Sequence, residues 1–270
     1  RKISFTGGTN TGKQLAHIAA DRLIGTSLEL GGKSPTIVLE DADIDLAVNG
    51  VIYGIFSSAG QACIAGSRLF IHQSIYDEFM GRLVEKTQRL RVGHPEDPST
   101  QIGPLIDDKH LRSVDAYVQQ AKAEGGQVLV GGQRLTANGL DQGSYYAPTI
   151  ITGLDNNATV CQEEIFGPVL VVLPFESEDD LLVQANHSVY GLAAGIWTEN
   201  YRRAWRLARQ LDVGTVWINT YKKFSIATPF GGFKESGVGR EKGRLSILSY
   251  MQQKSIYIGL DATPNPWCDL

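Results

Sequence analysis

Along most of the chain, short apolar runs alternate with stretches in which apolar residues recur every three or four positions. The runs at 3–5, 26–30, 36–39, 69–71, 127–130, 169–173, 192–197 and 215–218 read as strands. Residues 13–23 carry Leu15, Ile18, Ala19 and Leu23 on one stripe, the spacing of an amphipathic helix. Further helices are predicted over 44–58, 75–90, 107–124, 178–187 and 201–211, with Asp43 capping the first of these and Ser74 the second. The 44–58 segment is apolar almost all round, which predicts burial, whereas the arginine-rich face of 201–211 reads as a solvated surface. Strands and helices in alternation predict an α/β fold with a mostly parallel twisted sheet flanked by helices. Residues 254–260 alternate like a strand with one exposed face; with no core left to join, that strand is expected to pair with another subunit.

Composition narrows the function classes. With 42% hydrophobic and 20% charged residues in 270, the chain is an ordinary globular one, long enough for one large domain or two. A net charge of -4 gives no basic field, so neither nucleic acid nor an anionic membrane is expected as a partner. No apolar run approaches the roughly 18 residues of a membrane helix. Cys63, Cys161 and Cys268 are far apart and form no Cys-x-x-Cys, and the five histidines include no His-x-x-x-His pair, so no disulfide framework or metal site is expected. A reducing, cytoplasmic setting fits that cysteine usage. The chain opens at Arg1 inside a strand, which suggests a fragment, and the lack of a targeting segment therefore carries no weight.

Four stretches carry candidate chemistry. Cys63 lies in Phe56-Ser-Ser-Ala-Gly-Gln-Ala-Cys-Ile-Ala-Gly-Ser-Arg68, a small-residue turn between the apolar helix and a strand. Small neighbours leave room for a carbonyl carbon at the sulfur and for backbone N–H groups beside its oxygen. On this stretch alone, a small buried hydrophobe is the more ordinary reading of a single cysteine. Glu29 stands between Leu28 and Leu30 in an apolar strand: buried, it would have a raised pKa suited to a general base, and on an edge strand it would simply face solvent. Thr6-Gly7-Gly8-Thr9-Asn10-Thr11-Gly12 joins a strand to a helix, as a phosphate cradle or a plain turn would. Gly7 to Lys13 matches Gly-x-x-x-x-Gly-Lys, but Gln14 stands where a nucleotide triphosphatase needs a hydroxyl. Glu163-Glu164 precedes a strand, where two acids could hold hydroxyls or form a solvated turn.

Taken together, Phe5-Thr6-Gly7-Gly8-Thr9-x-x-Gly12, Leu28-Glu29-Leu30-Gly31-Gly32-Lys33-Ser34-Pro35, Gly60-Gln61-x-Cys63, Glu163-Glu164-Ile165-Phe166-Gly167-Pro168, Asn219 and Pro229-Phe230-Gly231-Gly232 resemble, in order and spacing, the NAD(P)-dependent aldehyde dehydrogenase superfamily. The resemblance covers essentially the whole chain and places it as the C-terminal half or somewhat more of such an enzyme. It implies that Cys63 attacks an aldehyde, that hydride passes to NAD or NADP, and that Glu29 activates the water that hydrolyses the thioester. It further implies that Gly7, Gly8 and Gly12 meet the pyrophosphate and that the Leu30 backbone faces the nicotinamide amide. Glu164 would hold the ribose hydroxyls, Phe166 would lie near the nicotinamide ring, Phe224 and Phe230 would line the aldehyde tunnel, and Glu241 would relay protons.

The resemblance implies a remnant of a Rossmann-type dinucleotide-binding domain at 1–31, a catalytic domain at 32–238, and a tail with an oligomerisation strand at 239–270, in a homodimer or homotetramer. Gly8 departs from the family's usual serine and leaves only backbone donors at that point. The family's first half, with its oxyanion asparagine and adenosine-ribose lysine, has no counterpart here, so this chain alone is not expected to act as a dehydrogenase. Two other classes remain in view: an NAD-independent cysteine esterase or thioesterase using the same two residues, and a non-catalytic protein of the same fold.

Overall fold

The structure, a computed structural model, describes residues 1–260 and Trp267, without the side chain of Leu245. Its strands in chain order are β1 (Lys2–Thr6), β2 (Gly25–Glu29), β3 (Pro35–Val38), β4 (Arg68–His72), β5 (Gln127–Val130), β6 (Thr149–Thr152), β7 (Val169–Phe175), β8 (Tyr190–Gly191), β9 (Ala193–Trp197), β10 (Thr215–Ile218), β11 (Phe233–Lys234) and β12 (Gly237–Val238). The helices are α1 (Thr9–Asp21), α2 (Ile44–Phe56), α3 (Tyr76–Gln88), α4 (Asp108–Ala123), α5 (Thr159–Gln162), α6 (Glu178–Asn186), α7 (Tyr201–Ala208) and α8 (Gly243–Ser246). Seven strands form the main sheet in the order β10-β9-β3-β4-β7-β6-β5, parallel throughout except for the antiparallel β5–β6 edge. Central strands β3, β4 and β9 are buried on both faces, which is why they read as unbroken apolar runs.

A smaller sheet sets the candidate site. β1, α1 and β2 make a parallel β-α-β unit, and β12 from the far end of the chain closes it antiparallel along β2. Glu29 ends the middle strand of that sheet, so it is covered on both sides. Arg68 locks the junction between β3 and β4. Its buried guanidinium donates to the carbonyls of Lys33 (3.0 Å), Gln184 (3.1 Å) and Ala185 (2.8 Å) and to Asn156 Oδ1 (3.1 Å).

Several expectations change. The Asp43 side chain caps α2 by accepting from the Leu46 N–H, but Ser74 caps nothing: its hydroxyl pairs with His72 Nδ1, and α3 starts at Tyr76 without a side-chain cap. α2 is buried along most of one face, yet Leu46 and Tyr53 are exposed. The charged face of α7 is solvated at Arg202, Arg206 and Arg209, while Arg203 is held between Glu40 and Glu178, with Arg206 also pairing with Glu178. Residues 254–260 are exposed and form no strand within this chain, since an extended segment without a sheet edge has no ladder to join. Residues 261–266 and 268–270 of that tail, Cys268 included, lie outside the described residues. No described helix is long and apolar enough to cross a membrane.

Candidate active site

Cys63 is placed by an unusual turn. After α2, Ser58, Ala59 and Gly60 all adopt the left-handed region, at φ 58°, 53° and 71°. Two of the three are not glycine, a conformation that costs each about 1 kcal/mol or more and persists only when the surroundings enforce it. The enforcement is visible at Gly60, where an added Cβ would lie 2.0 Å from the Gly167 carbonyl oxygen. The cysteine turn is therefore pressed against the loop that carries Glu164 and Phe166. Gly32 closes the other side, since a Cβ there would lie 2.4 Å from the Cys63 carbonyl oxygen. The half-buried Cys63 packs against the cluster of Ile64, Leu192, Ala193, Trp217 and Tyr221, as Phe230 does. Burial pushes its thiol up, the Glu164 and Glu29 carboxylates push it further, and the Cys63 and Ile64 backbone N–H groups pull it back. The turn thus holds a protonated thiol that needs a base.

Glu29 is 6% exposed, and neither carboxylate oxygen has a hydrogen-bond partner among the described residues. Burial raises its pKa from 4.5 to about 7; Glu241 adds to the rise and Arg240 opposes it. The solvent-facing alternative for this residue is overturned. Gly231 backs onto the carboxylate, with the position of an added Cβ 3.0 Å from Oε1. Glu241 is fixed by Ser27 Oγ at 2.5 Å and the Tyr250 hydroxyl at 3.0 Å, while Arg240 donates to the Gly232 and Gly239 carbonyls. A buried carboxylate half-ionised near neutrality, electrostatically coupled to a thiol, is equipped to take a proton from sulfur or from water.

On the opposite flank, Gly8 sits at the N-cap of α1 without any side-chain cap, and the first turn holds no acid. The Gly7 N–H is taken by the Glu29 carbonyl at 3.0 Å, whereas nothing lies within 4 Å of the Cβ position at Gly8. The glycine at 12 leaves room for the Leu30 side chain, whose Cδ2 would be 2.4 Å from an added Cβ. The Leu30 N–H donates to the Ser236 carbonyl at 2.9 Å, so of its two backbone groups only the carbonyl remains to face a ligand. Glu164 is not in a solvated turn: Oε1 accepts from the Gly32 N–H at 3.1 Å, and Gly31 nests against Oε2. Burial raises the Glu164 pKa, opposed by the Gly32 N–H and by Lys33. Phe166, at φ 56° and half-exposed, accepts from His110 Nε2 at its carbonyl, 2.7 Å away. An open, uncapped helix start with a held carboxylate beside it fits a dinucleotide, with Gly7 contributing shape rather than a free donor.

Phe224 and Phe230 meet edge to face at 5.5 Å, and Trp217 stands 5.4 Å from Phe224. With Gly214, Thr215, Val216, Lys223 and Pro229 among their neighbours they line a cavity of about 490 Å3. Phe230 joins this cavity to the Cys63 cluster, and its backbone pairs with Glu241 through two hydrogen bonds of 2.7 Å. The predicted residues thus converge from both ends of the chain. Asn219 stands apart from them: its side chain bonds the Thr198 backbone and fixes the exit of β10.

Sequence reasoning missed Lys222, Lys242 and Arg240. Burial brings the Lys222 ammonium down to about 8, partly offset by Cys63, and its Nζ donates to Ser57 Oγ at 2.7 Å. Only its place directly after Tyr221, in the loop that carries both tunnel phenylalanines, could have drawn attention to it.

Residues 1–256 match the aldehyde dehydrogenase family. The betaine aldehyde dehydrogenase of Brucella anthropi is 41% identical over 266 residues, covering 98% of this chain and 55% of that protein. The corresponding protein of Mesorhizobium japonicum gives the same identity and coverage. Among solved structures, the NAD+ complex of a Bacillus cereus aldehyde dehydrogenase superposes with a TM-score of 0.93 at 42% identity, covering 96% of this chain and 52% of that one. A double mutant of the Staphylococcus aureus betaine aldehyde dehydrogenase, in complex with NAD+, reaches 0.96 at 39% identity, covering 98% of this chain and 53% of that one. The chain spans about half the length of the curated relatives it matches.

Proposed function

We propose that this chain, which belongs to the aldehyde dehydrogenase family, supplies the nucleophile and the base for NAD(P)-dependent oxidation of an aldehyde to a carboxylic acid. The observation that carries the reading is the pairing of Glu29, buried without a partner, with the half-buried Cys63 thiol whose ionisation it opposes. Glu29, titrating at about 7, takes the thiol proton directly or through water. The Cys63 sulfur then bonds to the aldehyde carbon, and the oxygen that gains the electron pair faces the Cys63 backbone N–H. NAD or NADP, when bound, accepts the hydride lost from that carbon. Gly8 at the start of α1, Glu164, Phe166 and the Leu30 carbonyl would hold it, while Gly7 and Gly12, whose N–H groups are taken by the Glu29 and Gly8 carbonyls, would only leave it room. Cys63 is left as a thioester; Glu29 takes a proton from the attacking water, the C–S bond breaks, and the acid departs as the thiol is restored. Glu241, joined to Ser27 and Tyr250, offers the proton a path outward.

The cytoplasm is the setting the cysteine usage supports. A homodimer or homotetramer is supported by the apolar, exposed strip at Ile256, Tyr257, Ile258 and Leu260, which a partner's sheet edge would cover. The test is NADH absorbance when a panel of aldehydes meets a full-length protein containing this chain, beside Cys63→Ser and Glu29→Gln. Turnover lost in both variants supports the reading. A Cys63→Ser variant as active as its parent removes the nucleophile, and ester turnover indifferent to NAD favours the thioesterase alternative.

A further inference from the structure

The loop that carries Glu164 and Phe166 is backed by one face of α4. His110, Val114 and Tyr117 stand four and three residues apart along that helix, so they share a face. His110 Nε2 lies 2.7 Å from the Phe166 carbonyl oxygen, and the two rings meet edge to face with centres 6.1 Å apart. The fully buried Val114 packs on Gly167, where an added Cβ would come within 2.6 Å of its Cγ2. The Tyr117 hydroxyl donates to Glu163 Oε2 at 2.7 Å.

Phe166 needs such support. Its φ of 56° lies in the left-handed region, which a bulky side chain adopts only where its surroundings enforce it. A carbonyl can only accept, so the His110 imidazole carries its proton on Nε2 and fixes the direction of the Phe166 carbonyl. His110 is itself anchored at its root, since its N–H donates to Asp107 Oδ1 at the cap of α4. The other side of the loop meets the site: the Glu164 carboxylate accepts from the Gly32 N–H at 3.1 Å, and the Gly167 carbonyl presses on Gly60 of the cysteine turn. The two candidate cofactor groups thus stand on a backbone whose conformation is set from α4.

We propose that His110 and Tyr117 are positioning residues for the nicotinamide half of the cofactor. They act through Phe166 and Glu163, fixing the backbone from which Phe166 meets the nicotinamide ring and Glu164 meets the ribose hydroxyls. The inference rests on the reading of residues 163–167 as a cofactor loop. Neither residue has to touch the dinucleotide.

The test separates the two halves of the dinucleotide in a full-length protein containing this chain. NAD+ carries the nicotinamide and its ribose; ADP lacks both and reports the adenosine end alone. Titration calorimetry should show His110→Ala weakening NAD+ about five- to tenfold, the ordinary worth of one hydrogen bond, with ADP unchanged. Tyr117→Phe should weaken NAD+ about threefold and again spare ADP. His110→Gln keeps an N–H donor at that reach and should restore NAD+ binding. ADP weakened as much as NAD+ would mean that α4 only supports the fold, and NAD+ unmoved would mean that the loop holds without it; either result overturns the proposal. Should the parent not bind NAD+, or Glu164→Ala bind it as the parent does, the cofactor reading of the loop falls and the positioning role with it.

Discussion

Glu29→Gln should make the protein more stable, and more so the higher the pH. In the unfolded chain this carboxyl titrates near its ordinary 4.5, and in the folded protein near 7, because burial disfavours its charge. Between those values the folded protein holds a proton that the unfolded chain has released. Stability from this group therefore falls as pH rises, a loss that begins near 4.5 and is complete above about 7. At about 1.4 kcal/mol per tenfold, the full gap costs about 3 kcal/mol at pH 8.5 and less than about 1 kcal/mol at pH 5. Glutamine keeps the shape and removes the charge. Its two amide ends have no hydrogen-bond partner at either pH, so that cost cancels when the two conditions are compared. Urea unfolding of parent and variant at pH 5 and pH 8.5 should show a stability difference that shifts by about 2 to 3 kcal/mol in favour of glutamine at the higher pH. A difference that stays constant would mean that Glu29 is ionised and satisfied in the folded state, and the argument for it as a base near neutrality would fail.

Two other substitutions probe how the site is held. Gly32→Ala would place a methyl 2.4 Å from the Cys63 carbonyl oxygen, so the cysteine turn must move; turnover in a full-length protein should fall about a hundredfold or more, since a shift of about 1 Å is enough for that. Arg68→Ala strips donors from the buried Lys33 and Ala185 carbonyls, from the partly buried Gln184 carbonyl and from Asn156, and thermal or urea unfolding should show a loss of about 3 kcal/mol or more, against a fraction of that for the exposed Arg209.

The sequence made the chemistry more legible than the architecture. Cys63, Glu29, Glu164 and the 7–12 turn were readable because each is a residue type out of place: a carboxylate between leucines, a cysteine among small residues, glycines where a helix begins. Their convergence was legible only through the family spacing, since β2, α2 and the 163–168 loop meet through contacts that no local pattern encodes. β6 was missed because its four residues are nearly all buried and show no alternation. The two-residue β12 carries no periodicity at all, yet it is what covers Glu29. Ser74 had the type and position of a cap but found His72 first. Lys242 carries no sequence signal, and only the fold brings its ammonium over the Phe224 ring.

The most direct test of the central claim is the mass of the Cys63 peptide after a Glu29→Gln full-length protein has met an aldehyde and NAD+ and been quenched in acid. If Cys63 is the nucleophile and Glu29 activates the hydrolytic water, the fraction of Cys63 that ionises without Glu29 should acylate slowly and then stay as the thioester, absent from Cys161 and from the parent enzyme after turnover. An unmodified Cys63 peptide in a variant that still forms NADH would contradict the account.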